Sequence, residues 1–251
     1  MFAVDVPSLP NVTIWGSGPA GFNKTAAIYI FATLATLLLF ALGTRRKDQL
    51  VPTGIFQNAA ESGVGFVRNQ VIMQTIGPEG LGYLPYLTAL FFFIFFSNIT
   101  EIIPGVQFPA NARFGIPMVL ALLTWVIYNV VGVVKQGPLH YLKNSLIPPG
   151  VPKPILVLVI PIELVSTFIV RPFSLMVRLF ANMLAGHLIL VTFGALCAAL
   201  FAAKVTVVIL PFSFFLLVAM TGFEILVSFL QAFIFAILTA VYIGSSMHAE
   251  H

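Results

Sequence analysis

Five long apolar stretches constrain what this chain can fold into more than any other feature. Only 8% of its 251 residues are Asp, Glu, Lys or Arg, whereas soluble globular domains carry about 25%. About 20 apolar residues in a helix cross the roughly 30 Å of bilayer hydrocarbon. The sequence therefore predicts an all-α integral membrane protein. The net charge of +4 is too small and too scattered for a nucleic-acid surface, so no nucleic-acid partner is expected.

The predicted membrane spans are residues 25–43, 84–103, 115–134, 155–203 and 205–244. The first three have the ordinary length of a single crossing. A continuous helix over residues 155–203 would be longer than ~70 Å at about 1.5 Å per residue. Each of the last two stretches must therefore break into two spans or lie strongly tilted. We treat residues 25–251 as a single membrane domain.

Three further segments lie outside these spans. Residues 1–24 are rich in Pro and Gly and are predicted to form an extramembrane N-terminal segment. Residues 51–71 place apolar side chains such as Ile55 and Phe56 at helical spacing opposite polar ones such as Gln57, which predicts an amphipathic helix on the membrane surface. Residues 135–154 combine prolines with lysines and are predicted to be a turn-rich loop.

Basic residues indicate how the chain is oriented. Arg45, Arg46 and Lys47 follow the first span, and the loop 135–154 carries further lysines. Because Lys and Arg concentrate in cytoplasmic loops, the N-terminus is predicted to lie outside and the C-terminus in the cytoplasm. The first basic residue is Lys24, so neither a signal peptide nor a transit peptide is expected. This favours a bacterial plasma membrane, with the mitochondrial inner membrane as the alternative.

The four charged residues inside the two long stretches are functional candidates, because a charge at mid-membrane costs about 2.5–3.5 kcal/mol. They are Glu163, Arg171, Arg178 and Glu224. The alternative is structural, since either arginine can pair with one of the glutamates. Arg171 also precedes Pro172, where its side chain can anchor a helix end at the membrane surface.

Uncharged polar residues extend the pattern around Arg178. Ser174, Arg178 and Asn182 are spaced four apart and share one helix face. Glu224 and Gln231, seven apart, share a face of the next stretch. The residues beside the Arg178 face are small enough for another helix to approach closely: Ala181, Ala185 and Gly186.

Each polar residue also has a structural interpretation. Asn182 and Gln231 fit an interhelical hydrogen bond. Ser166 and Ser174 fit hydrogen bonds to carbonyls of their own helix. His187, inside an apolar run, fits a proton carrier and a packed neutral side chain equally well.

Two segments carry a specific resemblance to a known family. Residues 172–187 read PFSLMVRLFANMLAGH and residues 230–242 read LQAFIFAILTAVY. Weaker motifs are NITEIIP at residues 98–104 and PIELVS at residues 161–166. Together these segments resemble subunit a of the F-type ATP synthases, and the resemblance extends from about Leu84 to the C-terminus.

The resemblance implies an ion-translocating stator subunit whose two long, tilted helices face a rotating ring of c subunits. Ions reach the ring carboxylates through an inlet half-channel and leave through an outlet half-channel. The implied partners are the c-ring, the peripheral-stalk b subunits and the lipid bilayer, and the implied ion is H+ rather than Na+. No cofactor, metal or nucleotide site is expected, so the chain would not be an enzyme by itself.

The resemblance also implies a role for each polar residue. Arg178 corresponds to the essential coupling arginine that faces the ring carboxylate. The inlet half-channel would be formed by Asn98, Glu101, Asn182, His187, Glu224 and Gln231. The outlet half-channel would be lined by Glu163, Ser166 and Ser174.

The sequence departs from the family pattern in two places. His187 and Glu224 exchange the positions that the imidazole and the carboxyl occupy in many bacterial members, but either order puts one of each across the same gap. Glu163 and Pro172 are nine residues apart where eight are expected. This spacing leaves open how Glu163 and Ser166 face relative to Arg178, and a local bulge would absorb the extra residue.

Two other function classes were considered. A self-contained secondary transporter or ion channel would also carry charged residues in broken helices, but the sequence shows no inverted repeat. A membrane-embedded hydrolase would need a motif such as G-x-S-x-G or H-E-x-x-H, and the sequence contains neither of them nor a phosphate-binding loop.

Overall fold

The computed structural model describes residues 13–15, 22–43, 54–103, 110–147, 153–202 and 209–247. Among these residues the secondary structure is almost entirely helical, which confirms the all-α prediction. Two short strands, β1 (Thr13–Trp15) and β2 (Phe22–Asn23), pair antiparallel just before the first helix. Several residues used in the sequence predictions lie outside the described ranges: most of the N-terminal segment, residues 45–47, Pro104 and residues 203–208.

Nine α-helices lie within the described ranges: α1 (Lys24–Gly43), α2 (Ile55–Phe66), α3 (Met73–Thr75), α4 (Leu84–Ile99), α5 (Gly115–Gln136), α6 (Pro138–Leu146), α7 (Lys153–Val165), α8 (Arg171–Ala202) and α9 (Leu210–Met247). π-helical turns join α2 to α3 (Val67–Ile72) and α7 to α8 (Ser166–Val170). Short 3-10 helices precede α4 (Pro78–Tyr83) and α5 (Ala110–Ala112).

Five helical stretches of the described chain are long and apolar enough to cross a membrane, as predicted. They are Lys24–Gly43, Pro78–Ile99, Gly115–Gln136, Ile155–Phe201 and Leu210–Met247. The last two do not break into separate spans. At about 1.5 Å per residue the 38-residue α9 is about 57 Å long, far more than the roughly 30 Å of hydrocarbon. Both long stretches therefore lie strongly tilted.

The core lies where α4, α5, α8 and α9 pack against one another. Its largest side chains are fully buried and come from all four helices, and they include Leu87, Ile94, Tyr128, Leu175 and Phe235. Helix α1 packs at the periphery against α2 and α4. Apolar side chains cover most of the remaining helix surface, as expected of a protein surrounded by lipid.

The amphipathic helix predicted for residues 51–71 is present and begins at Ile55. Gln57 is 7% exposed and Ile55 is 86% exposed. Packing against α1 decides the facing, because Ala60 and the backbone near Gln57 contact Gly43 of α1. Farther along, Val67 and Val71 are fully buried in the main core, so this part of the element belongs to the bundle.

The loop predicted for residues 135–154 contains a helix, α6, which is a correction. Gly137 adopts a positive φ of 83°, and Pro138 follows as the first helical residue, where its missing N–H costs nothing. Helix α6 packs back on α5 because the Tyr141 ring lies directly over Gly132 and its hydroxyl donates to Asn129 Oδ1 at 3.0 Å. The prolines therefore start a helix here instead of only making turns.

Candidate functional site

Arg178 projects from an exposed face of α8. Its guanidinium makes no salt bridge or hydrogen bond with any residue that the structure describes, so the structural ion pair considered above is absent from that part of the chain. An adjacent face of the helix is anchored in the core by Leu175 and Leu179, which are 1% and 0% exposed. Ala181 and Ala185 flank Arg178 and are also exposed. The arrangement presents a permanent charge on a flat helix surface.

His187 binds a carboxyl group from another part of the chain. Its Nδ1 lies 3.1 Å from Oε1 of Glu101, which follows the end of α4. Glu101 is 3% exposed, and its backbone N–H donates to the Asn98 carbonyl at 3.2 Å. Burial raises the pKa of the Glu101 carboxyl, and the hydrogen bond and charge of His187 partly oppose this rise.

Glu224 reaches the same region from α9. Its carboxyl packs directly against Gly186, where any Cβ would overlap it. It also lies near enough to Glu101 for the two carboxyls to interact electrostatically. The sequence predicted that His187 and Glu224 face each other across one gap. In the structure His187 is hydrogen-bonded to Glu101, and Glu224 packs against Gly186, the residue before His187. Three titratable groups from three parts of the chain therefore form one cluster.

A cavity of about 510 Å³ opens beside this cluster. Glu101 and His187 line one part of it, and residues of α8 and α9, including Leu190, Gly194 and Thr221, line the rest. One water occupies about 30 Å³ of the liquid, so the space is large enough for several waters in contact with the titratable groups.

Asn182 and Gln231 connect α8 to α9. Asn182 Nδ2 donates to Gln231 Oε1 at 3.4 Å, which is the interhelical hydrogen bond considered from the sequence. Gln231 is 4% exposed, and its Nε2 has no partner among the described residues. Asn182 is one helical turn from Arg178. This amide pair therefore extends the polar surface from Arg178 across to the helix that carries Glu224.

A polar network that sequence reasoning missed supports Asn98. Asn111 Nδ2 donates to Ser97 Oγ at 2.8 Å and to Asn98 Oδ1, and Asn111 Oδ1 accepts from the Tyr29 hydroxyl at 3.0 Å. Asn98 Nδ2 is buried without a partner among the described residues. Nothing in the local pattern marks Asn111, because it lies between two spans in a segment without periodicity. The one sequence feature that indicates a buried polar partner here is Tyr29, a tyrosine within the first span.

The predicted outlet residues lie along the helical run formed by α7 and α8. Glu163, Ser166 and Ser174 are all partly exposed, and none of their side chains makes a hydrogen bond within the described chain. The two serines therefore do not bond to their own helix carbonyls. Ser166 begins the π-helical turn, so the local bulge suggested by the nine-residue spacing to Pro172 is confirmed.

Comparison with known proteins identifies the family. A sequence profile described as ATP synthase A chain matches residues 26–244, a range that includes every candidate site residue. The chain belongs to the ATP synthase subunit a family. It is 42% identical over 245 residues to ATP synthase subunit a of Rhodococcus erythropolis, covering 96% of this chain and 88% of that protein.

Other subunit a relatives match over a similar length. The chain is 45% identical over 238 residues to ATP synthase subunit a of Frankia alni, covering 94% of this chain and 81% of the relative. It is 41% identical over 239 residues to that of Rhodopseudomonas palustris, covering 94% and 92%. Together with the five apolar helices, these relatives indicate a multi-pass bacterial membrane protein. A subunit a is a component of the ATP synthase complex and not its catalytic subunit.

Proposed function

We propose that this chain is the ion-translocating stator subunit of a rotary ATP synthase. In this proposal two half-channels deliver protons to and from the carboxylates of a rotating c-ring, so that proton flow drives rotation and ATP synthesis. The observation that carries the proposal is Arg178, a permanent charge without a partner in the described chain, on an exposed helix face beside small residues. Such a charge is stabilised in a membrane only when an oppositely charged group approaches it.

The chemistry of Arg178 follows from its charge. A carboxylate that moves through lipid must be protonated, because its bare charge is too costly there. A guanidinium stays protonated and favours the ionised form of a carboxyl that comes close. Each ring carboxyl must therefore release its proton to the outlet before it passes Arg178. The same positive charge blocks protons from passing directly between the half-channels.

The energy of the step sets how many protons are needed. Moving one elementary charge through 100 mV yields about 2.3 kcal/mol, so several protons must pass for each ATP that another subunit makes. This chain needs no nucleotide site of its own for that role. Its contribution is to place the proton path and the charge that separates its two halves.

The inlet half-channel is supported by the cluster beside the cavity. Water in the cavity would protonate Glu101 and His187, which share a hydrogen bond, and Glu224 lies next to them on α9. Proton transfer needs titratable groups within hydrogen-bond reach, directly or through one water. Asn182 and Gln231 then continue the polar surface toward Arg178. The partly exposed Glu163, Ser166 and Ser174 would line the outlet.

Orientation and partners complete the proposal. In the proposal the N-terminus lies outside and the C-terminus in the cytoplasm, which is supported by Lys135 in the last turn of α5 and Lys143 in the last turn of α6, because basic residues concentrate in cytoplasmic loops. The partners are the c-ring and the peripheral-stalk b subunits, and the transported ion is H+ rather than Na+. The competing function, a self-contained transporter or channel, requires none of these partners.

Disulfide cross-linking tests whether the Arg178 face meets the ring. Ala181→Cys or Ala185→Cys, in a background with Cys197 changed to Ala, should cross-link to cysteines placed along the outer helix of the c subunit. Leu38→Cys is the matched control, because Leu38 is an exposed apolar residue on α1. Cross-linking from both alanine positions and not from α1 is expected. Equal or absent cross-linking at all three positions would favour the self-contained transporter.

A further inference from the structure

The helical run that carries Arg178 contains one extra residue. In the π-helical turn Ser166–Val170, hereafter the π segment, the N–H of Arg171 donates to the carbonyl of Ser166, five residues earlier. Such a turn accommodates one additional residue without breaking the helix, and it occurs mostly at functional sites. The π segment lies between Glu163 and Arg178, so it controls how the two ends of the run face each other.

Helix geometry shows what the extra residue does to the polar face. Each residue of an α-helix rotates the chain by about 100°. In an unbroken α-helix Ser166 would therefore lie about 120° around the axis from Arg178, whereas absorbing one residue brings this angle to about 20°. Glu163 and Ser174 then both lie about 40° from Arg178. All four positions fall on one side of the run.

Burial on the adjacent face of the run, about 60–80° around the axis from Arg178, supports the same register independently. Thr167 and Leu175 are 2% and 1% exposed, so both face the core. They would lie about 80° apart on a regular helix and lie about 20° apart once one residue is absorbed. The π segment therefore keeps a continuous buried face along α7 and α8 as well as a continuous polar face.

Neighbouring helices hold the π segment in place. The Tyr128 hydroxyl, from α5, donates to the Thr167 carbonyl at 2.9 Å, and Tyr128 is fully buried. The centroid of the Tyr128 ring lies 5.7 Å from the centroid of the Tyr242 ring on α9. The Arg171 guanidinium lies over the Tyr242 ring, 5.4 Å from its centroid. A backbone carbonyl surrounded by apolar groups must be satisfied. The Arg171 N–H is taken by Ser166, and Pro172 has no N–H to donate to Thr167, so Tyr128 supplies the donor.

We propose that Tyr128 is a positioning residue for the outlet half-channel. By holding the Thr167 carbonyl it fixes the π segment, and the π segment fixes the face on which Glu163 and Ser166 approach Arg178. This inference rests on the proposed function, because it assigns Tyr128 an effect on proton release. Tyr128 does not itself touch the ring or the transported proton.

The test compares two tyrosine variants in reconstituted liposomes that contain the complete ATP synthase. Tyr128→Phe should lower proton-driven ATP synthesis roughly two- to tenfold, the factor that one hydrogen bond contributes to an equilibrium. It should also change how the rate depends on pH on the release side, as is expected of Glu163→Gln, and leave the uptake-side dependence unchanged. The control is Tyr86→Phe, which removes a hydroxyl bonded to Thr124 away from the π segment. Wild-type release-side behaviour in Tyr128→Phe would overturn the proposal.

A deletion separates positioning from simple stabilisation. Removing the exposed Ile169 and also changing Pro172 to Ala, which restores an N–H four residues after Thr167, leaves a regular α-helix with the same facing of Glu163, Ser166 and Arg178. This background therefore makes the Tyr128 hydroxyl dispensable. In that background Tyr128→Phe should cause no further loss. An added alanine after Ile169 should rotate the upstream face by about 100° and abolish proton release.

The outcomes distinguish this inference from the proposed function. If Tyr128→Phe adds its full loss in the background that lacks Ile169 and carries Pro172→Ala, the positioning role is wrong. Arg178→Ala is measured in parallel. A silent Tyr128→Phe together with an inactive Arg178→Ala would remove only the inference, whereas an active Arg178→Ala would remove the proposed function.

Discussion

His187 and Glu101 form a salt bridge that joins α8 to the chain just past α4. Glu101 is buried, so its carboxyl is sensitive to the loss of its one basic neighbour. Glu224 stands beside this pair and not between its members. The residue-scale predictions follow from this arrangement.

Replacing His187 should shift the pH dependence of proton uptake. His187→Ala removes the hydrogen bond and charge that lower the pKa of Glu101, so this pKa rises further above its ordinary value. Glu101 then stays protonated to higher pH, and the pH of half-maximal uptake should move upward while the rate falls roughly tenfold. ATP synthesis at a series of uptake-side pH values and fixed driving force measures this. The double variant with Glu101→Gln should lose the shift, and a shift that persisted would contradict the pairing.

Gly186→Ala should disturb the cluster without preventing assembly. The added Cβ overlaps the Glu224 carboxyl, which can move because it ends a flexible side chain. Displacing a relay group by about 1 Å is enough to slow transfer tenfold or more. ATP-driven proton pumping in inverted vesicles should fall accordingly. Gly65→Ala, whose Cβ meets nothing within 4 Å, is the matched control; equal pumping by both variants would show that the Glu224 contact is unimportant.

At the scale of single helices, much of the architecture was predictable from apolar length alone. The five spans were predicted because nothing else in the sequence competes with their hydropathy. The nine-residue spacing between Glu163 and Pro172 even indicated a bulge. The burial of Gln57 could not be predicted, because contacts with α1 and not local amphipathicity decide it. Helix α6 was missed since its prolines read as turns.

The site was predictable only where polar residues interrupt an apolar run. Arg178, His187 and Glu224 stand out for that reason, and the sequence placed them on the two long helices. The partner of His187 could not be predicted, because Glu101 lies far away in the chain and the pairing depends on how α4 meets α8. Asn111 lies between spans, where a polar residue is unremarkable.

The Asn111 network should tie α1 to the end of α4. Asn111→Leu keeps the side-chain volume but leaves the Tyr29 hydroxyl, Ser97 and Asn98 without their shared hydrogen-bond partner. Each buried polar group left unsatisfied lowers the free energy of unfolding by about 1–3 kcal/mol. We expect a lower unfolding temperature of the subunit within the complex and slower uptake through the inlet. The contrasting result is unchanged thermal stability and uptake, which would show that water replaces the amide.

Arg171 should contribute to the packing of α8 against α9 and not to the coupling of proton flow to ATP synthesis. Its guanidinium lies over the Tyr242 ring, a contact worth about 0.5–2 kcal/mol. Arg171→Gln should therefore lower stability by about that amount and retain most ATP synthesis. Thermal unfolding and synthesis rates of the same preparation check both parts. Complete loss of synthesis in a normally assembled complex would show that Arg171 takes part in coupling.

At the scale of the whole molecule, the length of α8 and the position of Arg178 on it determine how the candidate site residues are arranged. The described helices pack into a core on one side and leave the Arg178 face of α8 exposed, while the titratable cluster and its cavity lie farther along the same helix. The outlet residues lie on the other side of Arg178 in the chain. Arg178 therefore separates the two groups of residues assigned to the two half-channels, and the central claim is that this charge couples them through the ring.

The most direct test of that claim is ATP synthesis by the Arg178→Ala complex in liposomes, driven by an imposed pH gradient and membrane potential. The complex should assemble with its ring, synthesise no ATP and leak protons passively, because the positive barrier between the half-channels is gone. Arg178→Lys should also fail, since lysine loses the planar fork and can deprotonate in an apolar site. Near-normal synthesis by the assembled Arg178→Ala complex would contradict the mechanism.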